Sequence, residues 1–246
     1  MALGEFPGNW EGLLPDDSEL DEWQQCVKKA IIFMQQNRLN YHWPKGRDGN
    51  QHSGCLADRF HKNVRIMQAG HPPGAYCCGA VMEAFMLAWK KYMIGFEDDD
   101  ITPATMFEMY KYFFVFSSNN GQYDQGAKGG LLWLADEVEW LTVKASEDPN
   151  AFPFGTFLQM QFGPQPDDGH SVIVIGHGMK EGTGCLIVWS ANYGYKHVIE
   201  RIGDSYLVKD GPASPSGHGF DYYFKRKVKD GFARKFHGAW IVGEEE

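Results

Sequence analysis

Basic residues are in short supply in this chain: 23 Lys and Arg stand against 32 Asp and Glu, for a net charge of −9. Phosphate recognition needs clustered cations, so this balance excludes nucleic acid and an anionic membrane surface as expected partners. The one basic cluster, Lys225–Lys229, is short and reads as a solvated strand or turn. Cysteines are also few and irregularly spaced: Cys26, Cys55, Cys77, Cys78 and Cys185. Their odd number and the lack of any Cys-x-x-Cys pair argue against a disulfide framework and a zinc ribbon. Bridging the neighbours Cys77 and Cys78 requires a strained ring, so a reducing compartment is the simpler expectation.

No stretch approaches the ~18 apolar residues of a membrane helix, so membrane insertion is not expected. Residues 1–17 have neither the basic start nor the apolar run of a signal peptide, which predicts a cytoplasmic protein. A chain trimmed of its leader reads the same way, and secretion or delivery as an effector is then the alternative. Neither common Gly-rich phosphate loop is present, nor any internal repeat or low-complexity tract. His42, His52, His61 and His71 have no partner at a metal spacing. The run Glu97–Asp100 cannot converge on one ion without a loop built for it. No metal and no cofactor are therefore expected. Nothing in the sequence specifies an oligomeric state.

What is present is ordinary globular material. The 246 residues are 43% hydrophobic and 22% charged, enough to bury a sizeable core. Aromatics reach 15%, with 8 Trp. Core filling accounts for them most simply, and a stacking surface for a sugar or peptide is the second use. Leu20, Trp23, Val27, Ala30, Ile31 and Met34 have helical spacing and predict a helix over 19–37. Ser18 and Asp21 resemble a capping box at its start. Polar turns fill 38–75, around a possible short helix near 56–67. Val81, Phe85, Ala88 and Trp89 predict a helix over 79–93. Thr102-Pro103 opens another, and a further helix is read at 129–143.

The character changes after Pro149. "PFGTFLQMQF", "HSVIVIGHG" and "GCLIVWSANYG" are apolar, β-branched runs bounded by Gly and Pro. "GMKEGTG" reads as the hairpin connection between the last two. "HVIERIGDSYLVKDG", "FDYYFKRKV" and "ARKFHGAWIVG" add three more strands. A helical front half followed by an antiparallel sheet is an α+β arrangement.

Two residues carry a chemical possibility. Cys77 stands where a loop hands over to a helix, and a helix N-terminus stabilises a thiolate. His170 opens a buried strand next to Gly169. Alone, the cysteine is most simply a small buried hydrophobe and the histidine a surface residue at a strand end. Together they form a cysteine opening a helix, then a histidine opening a strand 93 positions later, then polar residues on the next strand. An imidazole beside the thiol favours a Cys–His ion pair. Successive helical residues point about 100° apart, so only one of Cys77 and Cys78 can face the imidazole. Cys77 is the expected nucleophile and Cys78 the residue packed behind it. Ser190 and Asn192, two apart on the next strand, share a face and are candidates to orient the imidazole. Asn192, with its amide oxygen, is the better acceptor. A surface turn residue is its simpler reading.

"YCCGAV" resembles the Asp-Cys-Ser-Gly-x-Val motif of the NlpC/P60 peptidases, with the family's cysteine on Cys77 and its serine on Cys78. "PFGTFLQMQF" is similar to the family's Pro-Gly-Asp strand, and "GHSVIVIGHG" to its histidine strand, which puts the family's histidine on His170. The latter also resembles the His-Ala-Val strand of papain, and Ser190 to Asn192 its Asn-Ser-Trp-Gly. The matches span roughly 74–194. Tyr76 replaces the acid before the cysteine, and Thr156 replaces the Asp of Pro-Gly-Asp.

The resemblance implies a papain-like, NlpC/P60-like fold with a helical N-terminal half packed on the sheet. The expected division is a helical extension or subdomain over 1–70 and a hydrolase core over 71–246, or a single domain over 1–246. It implies a thiol hydrolase acting on an amide or peptide bond of a cell-wall peptide or peptidoglycan fragment. The oxyanion donors would be the Cys77 backbone N–H and a side chain from the preceding loop, Gln68 or Tyr76, Gln68 being the type papain-like enzymes use. Acyl transfer on the same fold, and a non-catalytic peptide- or glycan-binding module, are the alternatives.

Overall fold

The computed structural model describes residues 12, 14–37, 57–67, 77–93, 102–107, 141–146, 152–161, 169–180, 183–191, 197–203, 207–209 and 235–241. Within them the protein is a mixed α+β structure with antiparallel sheets. Helix α1 spans Glu22–Gln36 and α2 spans Cys77–Tyr92. Strands β1 (Arg59–His61) and β2 (Val64–Met67) form a hairpin between them. The remaining strands are β3 (Leu141–Ser146), β4 (Phe157–Gln161), β5 (Gly169–Lys180), β6 (Thr183–Ala191), β7 (His197–Gly203), β8 (Leu207–Lys209) and β9 (Lys235–Ile241). They build one seven-stranded sheet in the order β3-β9-β4-β5-β6-β7-β8, every neighbouring pair antiparallel.

Helix α1 starts three residues later than the sequence pattern predicts. Its N-cap is Asp21, not Ser18: the Asp21 carboxylate accepts from the Gln24 N–H at 2.7 Å, and Gln24 Oε1 accepts from the Asp21 N–H at 3.1 Å. Residues Asp17–Glu19 instead form a 3-10 turn, with Lys28 reaching back to the Asp17 carboxylate at 2.7 Å. The predicted apolar stripe is otherwise correct: Trp23, Val27, Ala30, Ile31 and Met34 are all buried.

The possible helix near 56–67 is a β-hairpin. Lys62 and Asn63 both have positive φ, 44° and 66°, as a two-residue turn with the strands' own twist requires. The front of the helix read at 129–143 lies outside the described residues, but its end is strand: Leu141–Val143 pair with Ala239–Ile241 of β9. That pairing joins segments nearly a hundred residues apart, which no local periodicity can signal. Thr102 caps a helical stretch at 103–107, accepting from the Thr105 N–H at 3.1 Å. The strand read at "FDYYFKRKV" and the clusters at Lys225–Lys229 and Glu97–Asp100 lie outside the described residues.

Helix α2 is central. From Gly79 to Trp89 every described side of it is buried except a partly exposed Leu87. A helix apolar all round belongs inside a fold. It packs against α1, β1, β5 and β6. Ala80, Ala84 and Ala88 recur every fourth residue and are fully buried, so one stripe of α2 presents little bulk to its neighbours. At the centre, the Phe85 ring meets Trp23 at 5.8 Å, Trp89 at 5.9 Å and Phe157 at 5.4 Å. Three tryptophans, Trp23, Trp89 and Trp189, are thus core residues. The Trp189 indole N–H donates to Gln35 Oε1 at 3.1 Å, tying β6 to the end of α1.

Over 157–158, 171–175 and 187–189 the sheet is buried on both faces, and His177 further along β5 is exposed. Phe157, Ile173, Ile175, Ile187 and Trp189 join the helical core. Leu158, Val172, Val174 and Val188, the alternate residues, are equally buried but stand outside that cluster. Residues of α1, β2, α2 and the sheet share the one cluster among the described residues.

Candidate active site

Cys77 is the first residue of α2, two positions earlier than the apolar pattern predicts the helix to begin. It is 7% exposed and belongs to the core cluster. The small residues Gly79 and Ala80 follow it in the first turn, both buried. Position 78 is also helical. Nine residues, 68–76, connect the end of β2 to this helix start.

His170 is the second residue of β5 and pairs across the sheet with Met160 of β4. Helix α2 lies against β5, so the cysteine and the histidine belong to elements in direct contact. Strand alternation divides β5 into two sets. Ile173 and Ile175 pack in the cluster with α2, and the buried Ser171 is the next member of that set. His170 takes a register position in the other set, with Val172 and Val174, because β5 pairs with β4 without irregularity from Gly169 to Ile173. Ser190 is on β6, opposite Val198 of β7. Asn192, Gln68 and Tyr76 lie outside the described residues.

Thr156, which replaces the aspartate of the Pro-Gly-Asp motif, has a structural task. It is fully buried, and its hydroxyl donates to the Pro153 carbonyl at 2.8 Å. Its own carbonyl accepts from the Val174 N–H at 2.9 Å, and the Gly155 N–H donates to the Val174 carbonyl at 2.8 Å. Gly155 sits at φ +81°, a conformation costly for any residue with a Cβ. Gln24 of α1 donates to the Phe154 carbonyl at 3.2 Å. The turn before β4 therefore locks α1, β4 and β5 together.

Sequence reasoning missed Glu83. It is fully buried within α2, and its Oε1 accepts from Arg59 Nε at 2.7 Å and from the Ala57 N–H at 3.4 Å. Arg59 Nη2 pairs with the same oxygen. The one signal available was a single carboxylate inside an otherwise apolar helical run, "AVMEAFMLAW". Cys26 of α1 is also buried, and burial pushes its pKa above the ordinary value.

Among the described residues, no group of three His, Cys, Asp or Glu is placed to hold a metal ion. None of the described helices is long and apolar enough to cross a membrane. No protein-family model, curated protein or solved structure matches this chain.

Proposed function

We propose that this chain is a thiol hydrolase of papain-like, NlpC/P60-like design, with Cys77 as nucleophile and His170 as its acid–base partner. The observation that carries the reading is the position of Cys77 as the opening residue of a buried helix packed on the strand that bears His170. A helix start supplies unpaired N–H groups and a positive dipole end, the environment that favours a thiolate and an oxyanion. The Cys77 thiolate attacks an amide carbonyl and forms a C–S bond. Imidazolium donates its proton to the departing nitrogen as the C–N bond breaks. Water, deprotonated by the imidazole, then hydrolyses the thioester and restores the thiol. The substrate class is a small peptide amide, of which a cell-wall stem peptide is the form that the motif resemblance favours. Asn192 is the proposed orienter of the imidazole. Ser190, Gln68 and Tyr76 are the proposed substrate and oxyanion contacts.

The test is site-directed labelling. Iodoacetamide at mildly acidic pH, read by peptide mass, is expected to modify Cys77 and not Cys26. Cys77→Ala abolishes turnover of peptidoglycan fragments, whereas Cys78→Ala leaves most of it. His170→Ala suppresses the acid-side labelling of Cys77. Unchanged labelling in His170→Ala removes the histidine from the mechanism, and no labelling of Cys77 below pH 7 in the unaltered protein removes the thiol.

A further inference from the structure

Gln35 is a polar residue at a core position. It stands four places after Ile31 on the buried stripe of α1, is 2% exposed, and follows the equally buried Met34. A buried amide costs free energy unless its hydrogen-bonding groups are met, and an apolar side chain would fill the stripe without that cost. One group is met by β6: Gln35 Oε1 accepts from the Trp189 indole N–H at 3.1 Å. An indole can only donate, so this bond fixes which end of the amide is which. The oxygen is committed to Trp189, and the end of the amide turned away from the indole carries N–H donors.

Helix packing decides what lies beside that amide. Helices α1 and α2 run antiparallel. Trp23, at the start of α1, meets Trp89 at 6.5 Å and Tyr92 at 5.5 Å, both at the end of α2. Phe33, near the end of α1, lies under the Arg59 guanidinium, which bonds Glu83 nearer the start of α2. Gln35 is twelve positions after Trp23, and Cys77 is twelve positions before Trp89. At roughly 1.5 Å per residue both steps cover about 18 Å, which brings Gln35 level with Cys77. Trp189 is on β6, which α2 also packs against, and Met34, Cys77 and Trp189 share the core cluster. Charged side chains do not supply a donor here. The nearest charged residue on α1, Lys29, is six positions back from Gln35, and β6 has no charged residue. Arg59 and Glu83 are occupied with each other.

We propose that Gln35 belongs to the thiol site as a donor to the Cys77 sulfur in its ionised form, and that Trp189 is the positioning residue that aims the amide. The inference rests on the thiol reading and adds to it a residue of α1, far up the chain from the cysteine, which no local motif marks. Each N–H aimed at a thiolate stabilises it, and such a bond is stronger away from water, where the 7% exposed Cys77 stands. The N-terminal dipole of α2 and the amide of α1 then act on the same atom from two helices. An amide keeps its donor at every pH, so this support does not depend on the protonation of a histidine.

The experiment uses the full chain and reads the pH profile of iodoacetamide labelling at Cys77. Gln35→Met keeps the volume and the apolar contacts but has no donor. Gln35→Met combined with Trp189→Phe leaves no indole N–H without an acceptor, and reads the result if the single variant fails to fold. Trp189→Phe alone keeps the amide and removes what aims it. Leu158→Ala is the control, a buried truncation on the other face of the sheet. The titratable groups of the neighbouring β1 and β5, His61, His170, His177 and Lys180, are the same in every variant. Gln35→Met and the double variant lose a hydrogen bond to a charged group. Their labelling midpoint is expected to rise by about 1–2 pH units, and the rate at about pH 6 to fall tenfold or more. A smaller rise is expected in Trp189→Phe and none in Leu158→Ala. An unchanged midpoint in Gln35→Met, in a protein whose Cys77 labels on the acid side, overturns the proposal and leaves the thiol reading standing. An equal rise in Leu158→Ala reduces the effect to a loosened fold and overturns it as well. An unchanged midpoint in Trp189→Phe overturns the positioning role of Trp189. Unaltered protein whose Cys77 does not label below pH 7 refutes the thiol reading itself, and the proposal falls with it.

Discussion

Truncating Phe85 to alanine probes the junction on which the architecture depends. The ring is fully buried on α2 and touches α1 through Trp23, its own helix through Trp89 and the sheet through Phe157. A buried Phe→Ala change costs about 3–5 kcal/mol in lost transfer free energy and cavity formation. Aromatic pairs contribute roughly 0.5–1.5 kcal/mol each beyond area. Three such pairs place Phe85→Ala toward the upper end, about 4–5 kcal/mol. With a urea m-value of about 3 kcal/mol/M for a chain of this size, the unfolding midpoint falls by roughly 1.5 M. A loss this large is a substantial fraction of the ~5–15 kcal/mol that holds a typical domain. Phe33→Ala on α1 is the matched control. That ring is 43% exposed, with the Arg59 guanidinium 5.8 Å from its centroid. Its loss is expected to cost less than about 1 kcal/mol. Urea unfolding followed by Trp fluorescence gives both numbers. If Phe85→Ala shifts the midpoint no more than Phe33→Ala does, α2 is not the keystone described above.

Two further predictions concern α1. Asp21→Ala removes the carboxylate that accepts from the Gln24 N–H and is expected to cost about 1 kcal/mol, whereas Ser18→Ala is expected to be near neutral; thermal unfolding of the two variants ranks them. Burial is the main cause that raises the Cys26 thiol above its ordinary value of 9.0, ahead of the opposing charge of Lys29. In alkali the unfolded chain then ionises at this position before the folded one does. The Cys26 contribution is complete below about pH 9 and is lost as pH rises through the higher folded value. Cys26→Ala is therefore expected to flatten the alkaline limb of a stability–pH curve, and an unchanged limb contradicts the assignment.

Much of the secondary structure is legible in the residues, because its causes are local. The stripe Trp23-Val27-Ala30-Ile31-Met34 has one period and one buried face, and it makes α1. The β-branched runs 171–175 and 185–189 make β5 and β6, with the Lys180↔Thr183 pair closing the hairpin expected of "GMKEGTG". The errors occur where two local signals compete. Ser18 and Asp21 are both good caps, and Asp21 caps the helix because Gln24 answers it. The run 59–67 is too short for period to separate helix from strand, and Lys62-Asn63 made it a hairpin by adopting positive φ.

For the candidate site, the sequence marks the residue types and their order, and Cys77 does open a helix lying on the strand of His170. It does not mark the burial of Glu83 or its pairing with Arg59, which join positions 24 residues apart. Nor does it mark the conversion of Leu141–Val143 into strand by β9, or the entry of β9 between β3 and β4. Periodicity and capping are properties of neighbours along the chain, and the sequence by itself determined those. Which strand lies beside which, and which carboxylate meets which guanidinium inside the core, depend on contacts between distant segments whose energies appear only when the chain has closed on itself. Those the tertiary structure alone decided.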